Sequence, residues 1–176
     1  ILKYKKIFTE QNIPIAYSKI EGKSPYIVFI HGLMSDMNGT KAIALEKYAV
    51  KNKQGFVRFD CRGHGMSGGK FPDYGISDWI EDTLLIIKSL TKGPLILVGS
   101  SMGGWVMLKV ALKIPHRVRG LIGIAAAPDF TIDNHWKKIL KDNKKSFKEK
   151  GYIEVPSGYQ DSPYIISKIL IDSGNK

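Results

Sequence analysis

Residues 95–108 read LILVGSSMGGWVML. An apolar, β-favouring run, Leu95-Ile96-Leu97-Val98, stops at Gly99, a Ser pair follows, and a helix-compatible run begins at Met102. Gly99, Ser101 and Gly103 fit G-x-S-x-G, a sharp strand-to-helix turn that raises a Ser hydroxyl above the carboxyl edge of a parallel sheet. Ser100 does not fit, because its frame would need Gly where Val98 and Met102 stand. A backbone held on so tight a turn carries strain of about 1–3 kcal/mol. Its neighbours two residues away press on strand and helix, where only a hydrogen side chain fits. The first amides of the helix have no intrahelical partner, so they and the helix dipole favour negative charge close to Ser101.

Outward from this turn, the chain alternates strand and helix signals. Ile7 to Thr9 and Ile13 to Tyr17 read as a hairpin around Gln11-Asn12, and Tyr26 to Ile30 as a strand buried on both faces. Thr40 to Lys51 reads as a helix with Ile43, Ala44, Tyr48 and Ala49 at helical spacing and Asn38 or Thr40 as cap. Phe56 to Phe59 is a strand delivering the Gly-rich loop Asp60 to Gly65. Ser77 to Leu90 is a helix with Ile80, Leu84, Ile87 and Leu90 on one face. Met102 to Ile114 is the helix after the turn, stopped by Pro115, and Val118 to Ala126 is another buried strand. This order predicts an α/β fold: a mostly parallel sheet, right-handed crossovers and helices on both faces. Ligands are then expected at the carboxyl edge, where the loops after Ile30, Phe59, Val98 and Ala126 gather.

Two parts are expected: a core over 1–127 and a helical lid over 128–176. Asp133 to Lys150 is Lys-rich, with Trp136, Ile139, Leu140 and Phe147 near one helical face, and Pro163 to Ile171 reads as a second short helix. The lysines read either as a solvated face or as a basic lid attracting acidic acyl carriers or anionic membrane surfaces.

The chain has 176 residues and a net charge of +11, with 43% hydrophobic and 24% charged residues, the composition of a globular protein with a sizeable core. Its 23 Lys outnumber the Arg at 58, 62, 117 and 119, and Lys is the weaker residue for bidentate phosphate recognition. No nucleic-acid motif accompanies the charge, so no nucleic-acid partner is expected. The single Cys61 rules out an intrachain disulfide. No apolar run reaches the roughly 18 residues of a bilayer span, and ILKYKKIF lacks a signal-peptide core, so no stable membrane insertion and a cytoplasmic location are expected.

Three motifs in order, HGLMSDMNGTKAIALEKY, VRFDCRGHGMSGG and LVGSSMGGWVMLKVAL, resemble the oxyanion loop, Gly-rich loop and nucleophile elbow of the α/β-hydrolase superfamily. MNGTKA and GSSMGGW together look most like the abhydrolase-domain subgroup of palmitoyl-protein thioesterases, also called acyl-glucuronide esterases. The resemblance implies a serine hydrolase acting on small-molecule or acyl-protein esters and thioesters, with no metal and no organic cofactor. By position it makes Ser101 the nucleophile and the backbone amides of Leu33 and Met102 the oxyanion hole. Two donors converging on one acyl oxygen suit that task, since losing one costs about 10²–10³ in turnover.

A Ser hydroxyl needs a base, and in this superfamily the acid and His follow the nucleophile on later loops. His116 follows a helix of about a dozen residues, ~20 Å long at 1.5 Å per residue, which places it at the opposite edge of the sheet. His31 and His64 lie at the correct edge but serve their own loops. Asp129 and His135 follow the elbow in the correct order, as a compact triad with Ser101. Otherwise the acid and His are expected beyond Lys176, on a chain that is C-terminally incomplete. The sixth strand would then be an apolar edge covered by further polypeptide or a second copy. The competing reading is a hydrolase-like binding or relic protein that keeps the elbow and performs no turnover.

Overall fold

Ile27 to Ile30 and Ile96 to Gly99 pair in parallel at the centre of a six-stranded sheet, and their register sets Ile30 opposite Gly99. Strands buried on both faces can be apolar at every position, and both runs are. The computed structural model describes residues 4–157 and 162–175, except for the side chains of residues 134 and 135.

The sheet contains β1 (Lys5–Phe8), β2 (Pro14–Ile20), β3 (Lys23–Ile30), β4 (Gln54–Phe59), β5 (Leu95–Ser100) and β6 (Val118–Ile124), in spatial order β1-β2-β4-β3-β5-β6. β4, β3, β5 and β6 run parallel, while β2 pairs antiparallel with β4 and β1 antiparallel with β2. Three helices cross over: α1 (Thr40–Asn52), α2 (Ile76–Leu90) and α3 (Met102–Lys113). This is the mostly parallel α/β sheet that the alternating pattern predicts.

Alternation along the strands divides the core in two. Val28, Ile30, Val57, Phe59, Leu95 and Leu97 face α2 and α3, and meet Trp79, Ile86, Trp105 and Val110. Ile27, Phe29, Phe56 and Val98 face α1, and meet Ala42 and Ala49. The inner stripe of α1 therefore runs through Ala42, Leu45 and Ala49, not through Ala44 and Tyr48, which are exposed. Small residues there let the helix lie close on the sheet. Its cap is Gly39, without a side-chain bond, rather than Asn38 or Thr40. α2 starts one residue earlier than expected, and Asp78 reaches back to accept from the Gly75 amide at 2.9 Å.

The later chain departs further from the sequence reading. The Lys-rich stretch is two helices, α4 (Asn134–Asp142) and α5 (Lys144–Lys150), separated at Asn143. A strand pair follows, β7 (Tyr152–Val155) antiparallel to β8 (Tyr164–Ser167), and then α6 (Lys168–Gly174). Pro163 to Ile171 is thus not one helix. Tyr164-Ile165-Ile166 is β-favouring and finds a partner in β7, and the helix begins only where the Ser167 hydroxyl accepts from the Leu170 amide at 3.0 Å. Ile153, Ile166, Leu170 and Ile171 join the cluster beneath α2 and α3. α6 is fitted closely: a Cβ at Gly174 would stand 2.7 Å from the Trp105 ring, and the Ser77 amide donates to Ser173 Oγ at 2.8 Å.

β6 is also not the buried strand its composition predicts. Among the described strands it pairs on one side only, and Leu121 and Ile122 are 43% and 51% exposed.

Candidate active site

Ser101 sits between β5 and α3 with φ 52° and ψ −121°, a left-handed backbone that a non-Gly residue adopts only when its surroundings impose it. Its amide donates to Ile124 O at 3.0 Å, and its carbonyl accepts from the amides of Gly104 at 2.9 Å and Ala127 at 3.0 Å. A Cβ on Gly103 would stand 2.2 Å from the Ile30 carbonyl oxygen, and one on Gly99 2.4 Å from that of Gly103. The pattern's two glycines are therefore required by contact. Ser101 itself is exposed, at the start of α3.

The loop after β3 lies against this turn. A Cβ on Gly32 would be 3.3 Å from Ser101 Cβ and 3.9 Å from its Oγ, so the Gly32-Leu33 backbone passes directly by the hydroxyl. Among the described residues, the amides of Leu33 and Met102 donate to no other protein group. Both residues line a cavity of about 620 Å³ together with Ser101. Phe130, Trp136 and Tyr164 form its aromatic wall, and Lys41 its cationic rim. Phe130 stands edge-on to Trp105 at 5.6 Å and tilted to Trp136 at 5.7 Å, which ties this wall to α3.

Buried polar groups hold the loops in place. Asp60 accepts from the Met37 amide at 2.6 Å and the Met66 amide at 2.8 Å, cross-linking the loops after β3 and β4. Burial pushes its carboxyl above the ordinary range. Arg62 donates through Nε and Nη2 to Asp82 Oδ1, each at 2.8 Å, and its amide donates to Asp82 Oδ2 at 2.7 Å, bracing the Gly-rich loop against α2. Burial outweighs this pairing and raises Asp82 to about 6. The Cys61 thiol is buried and its pKa raised well above the ordinary value, an inert core group rather than a nucleophile.

His31 and His64 lie at the correct edge, and both are taken up by the loops. His31 Nε2 accepts from the Cys61 amide at 3.0 Å while Nδ1 lies 2.8 Å from Gly32 O. His64 Nε2 accepts from the Met34 amide at 3.2 Å while Nδ1 lies 3.3 Å from Arg62 O. These partners assign each ring as the neutral tautomer protonated on Nδ1. Burial lowers both rings, and the neighbouring His31 assists in bringing His64 to about 3. Through them the Cys61 and Met34 amides fix the positions of both loops.

The structure places His116 beyond the C-terminal end of α3, where β6 starts opposite Leu95, at the far edge from Ser101. Asp129 is exposed, in a left-handed turn opening a short 3-10 segment. Asp133 instead caps α4, accepting from the Trp136 amide at 2.9 Å. The His135 side chain, third member of the compact triad, lies outside the described residues. Of the apolar residues expected on one face of the Lys-rich stretch, Trp136 reaches the Ser101 cavity, Ile139 packs on the core, and Leu140 and Phe147 line a separate groove. Tyr164 enters the cavity only because β8 pairs with β7, a contact with no local signature. Among the described residues no group of three or more His, Cys, Asp or Glu could hold a metal ion, and no helix is long and apolar enough to cross a membrane.

The family model described as serine aminopeptidase, S33 matches residues 23–167. The human palmitoyl-protein thioesterase ABHD10, mitochondrial, is 43% identical over 147 residues, which are 84% of this chain and 48% of that protein. The rat protein of the same name is 39% identical over 150 residues, 85% of this chain and 50% of that protein. The chain thus spans about half the length of the curated relatives it matches. Among solved structures, a putative hydrolase from Agrobacterium vitis S4 superposes with a TM-score of 0.91 at 34% identity, covering 98% of this chain and 71% of that one. Mouse alpha/beta hydrolase domain-containing protein 10 gives 0.85 at 34% identity, covering 98% and 69%.

Proposed function

Because the chain belongs to the α/β-hydrolase family described as serine aminopeptidase, S33, we propose that it cleaves carboxylic esters or thioesters through an acyl-enzyme on Ser101. The observation that carries this reading is the strained Ser101 turn, with its exposed hydroxyl at the wall of a 620 Å³ cavity beside two backbone donors. Ser101 Oγ would attack the acyl carbon and pass its proton to a base, while the carbonyl oxygen takes up the negative charge. The Leu33 and Met102 amides would receive that charge, and the α3 dipole would favour it. The thiolate or alkoxide then leaves with the proton, and water releases the acid by the reverse sequence. Among the described side chains none is placed as that base. The aromatic wall suits an acyl chain, which agrees with relatives named as thioesterases of palmitoyl proteins. In this reading residues 128–176 act as the lid of the core domain. The relatives' names place them in mitochondria, so they lend the cytoplasmic expectation no support.

A fluorophosphonate probe and a palmitoyl thioester substrate test this. Labelling that disappears in Ser101→Ala, with turnover of the thioester, is the expected result. No labelling of the folded full-length protein, or labelling that survives the substitution, overturns it. One observation favours binding without turnover: both ring nitrogens of His31 and of His64 are occupied by the loops. Acyl-ligand binding that Ser101→Ala leaves unchanged, with no acid released, would select that reading.

A further inference from the structure

A second concavity, of about 760 Å³, lies on α4 and α5. Lys137, Lys141, Lys144, Lys148 and Lys168 line it, and no carboxylate does. Its apolar lining is Leu140 and Phe147, both half-buried. The two spaces are neighbours along the chain: Trp136 lines the first and Lys137 the second, while Tyr164 and Lys168 are divided in the same way. Lys168 pairs with Asp172 one turn along α6. Lys137 and Lys141 stand four apart on α4, Lys144 and Lys148 four apart on α5, and all four line the groove. Like charges at that spacing repel and oppose helix formation. They are offset when an anion is shared between them.

We propose that this groove binds a small polyanionic thiol carrier, the phosphate-bearing half of an acyl thioester whose acyl chain lies against the Phe130-Trp136-Tyr164 wall. The volume matches a small-molecule site. The lining matches a ligand with phosphates and an apolar stretch, since the lysines supply charge at the rim and Leu140 and Phe147 supply apolar surface. Lysine without arginine means recognition by charge rather than by bidentate geometry, so binding is strongly weakened by salt. The identification of the bound species as substrate rests on the proposed thioesterase function, whereas the binding itself does not.

The test is therefore a binding measurement. Calorimetric titration with coenzyme A at low salt should show saturable binding, lost at high salt, and the phosphate-free thiol pantetheine should bind at least roughly tenfold more weakly. Combined Lys137→Gln, Lys141→Gln, Lys144→Gln and Lys148→Gln should weaken coenzyme A about tenfold or more, and the four Arg replacements should retain it. All four side chains are exposed, so the variants keep the fold, and an unchanged melting transition checks this. Equal binding of pantetheine, unchanged binding by the Gln variant, or binding only to phosphatidylserine vesicles each overturns the proposal. Coenzyme A binding without turnover of its palmitoyl thioester leaves the groove intact and removes the catalytic reading instead.

Discussion

The two glycines Gly103 and Gly151 sit in regions held by different physics. At Gly103 a Cβ would press within 2.4 Å of the carbonyls of both Ile30 and His31, whereas at Gly151, which ends α5, nothing lies within 4 Å. Around Ser101 the loops after β3 and β4 are anchored through buried polar atoms: Asp60, His31, His64 and the Arg62-Asp82 pair. Around α4 and α5 the anchors are apolar and aromatic, on a surface of exposed lysines. Hydrogen bonds are directional and costly to leave unmade, so they fix where backbone donors point. Apolar contacts hold a wall in place and tolerate changes of shape. In the proposed reaction, charge would develop in the first region and the variable part of the ligand would meet the second.

Substitutions at the two glycines give the widest separation between the regions. Gly103→Ala should cost more than about 3 kcal/mol or abolish folding, because backbone on two sides cannot yield. Gly151→Asn, at φ +74°, should stay within roughly 0.5 kcal/mol, since Asn tolerates a left-handed helix end. Denaturant melts of both variants decide this, and equal losses would erase the contrast. Next in size is Asp60→Asn, which keeps one acceptor and turns an amide donor towards the other loop N–H. A loss of about 2–3 kcal/mol is expected.

His64 sharpens the comparison through pH. Burial lowers it from 6.5 to about 3, so the unfolded chain binds the proton more tightly than the folded one. The ring's contribution is complete above about 6.5 and is lost as pH falls towards 3, by up to about 1.4 kcal/mol per pH unit. Gln at this position keeps an acceptor for the Met34 amide and does not titrate. The stability advantage of the native protein over His64→Gln, read from melts between pH 7 and pH 4, should therefore shrink on acidification. A constant difference would mean the ring is not held neutral. Trp136→Ala on the aromatic wall is expected to cost about 1–2 kcal/mol while raising KM for long acyl chains more than it lowers kcat.

The same contrast explains what the sequence disclosed. The succession of core strands and helices and the Ser101 turn were legible because each is written locally: a β-favouring run, a Gly-x-Ser-x-Gly turn, a helix stopped by Pro115. Leu33 and Met102 came from the family resemblance rather than from local pattern, and both line the cavity with Ser101. The α1 stripe keeps Ala49 but runs through Ala42 and Leu45 rather than Ala44 and Tyr48, because the two sets compete in a helix with little amphipathic contrast. β7, β8 and the entry of Tyr164 into the cavity were not legible, since strand pairing between residues 152 and 167 depends on a partner rather than on local spacing. The roles of His31 and His64 became specific only once their amide partners, thirty residues away, were known.

The close seating of Gly174 on Trp105 makes the indole a built-in optical gauge of the chain's last helix. With Trp79 and Trp136 replaced by Phe, a red shift of the remaining emission would time the departure of α6 from the core, separately from the melting of the sheet beneath it.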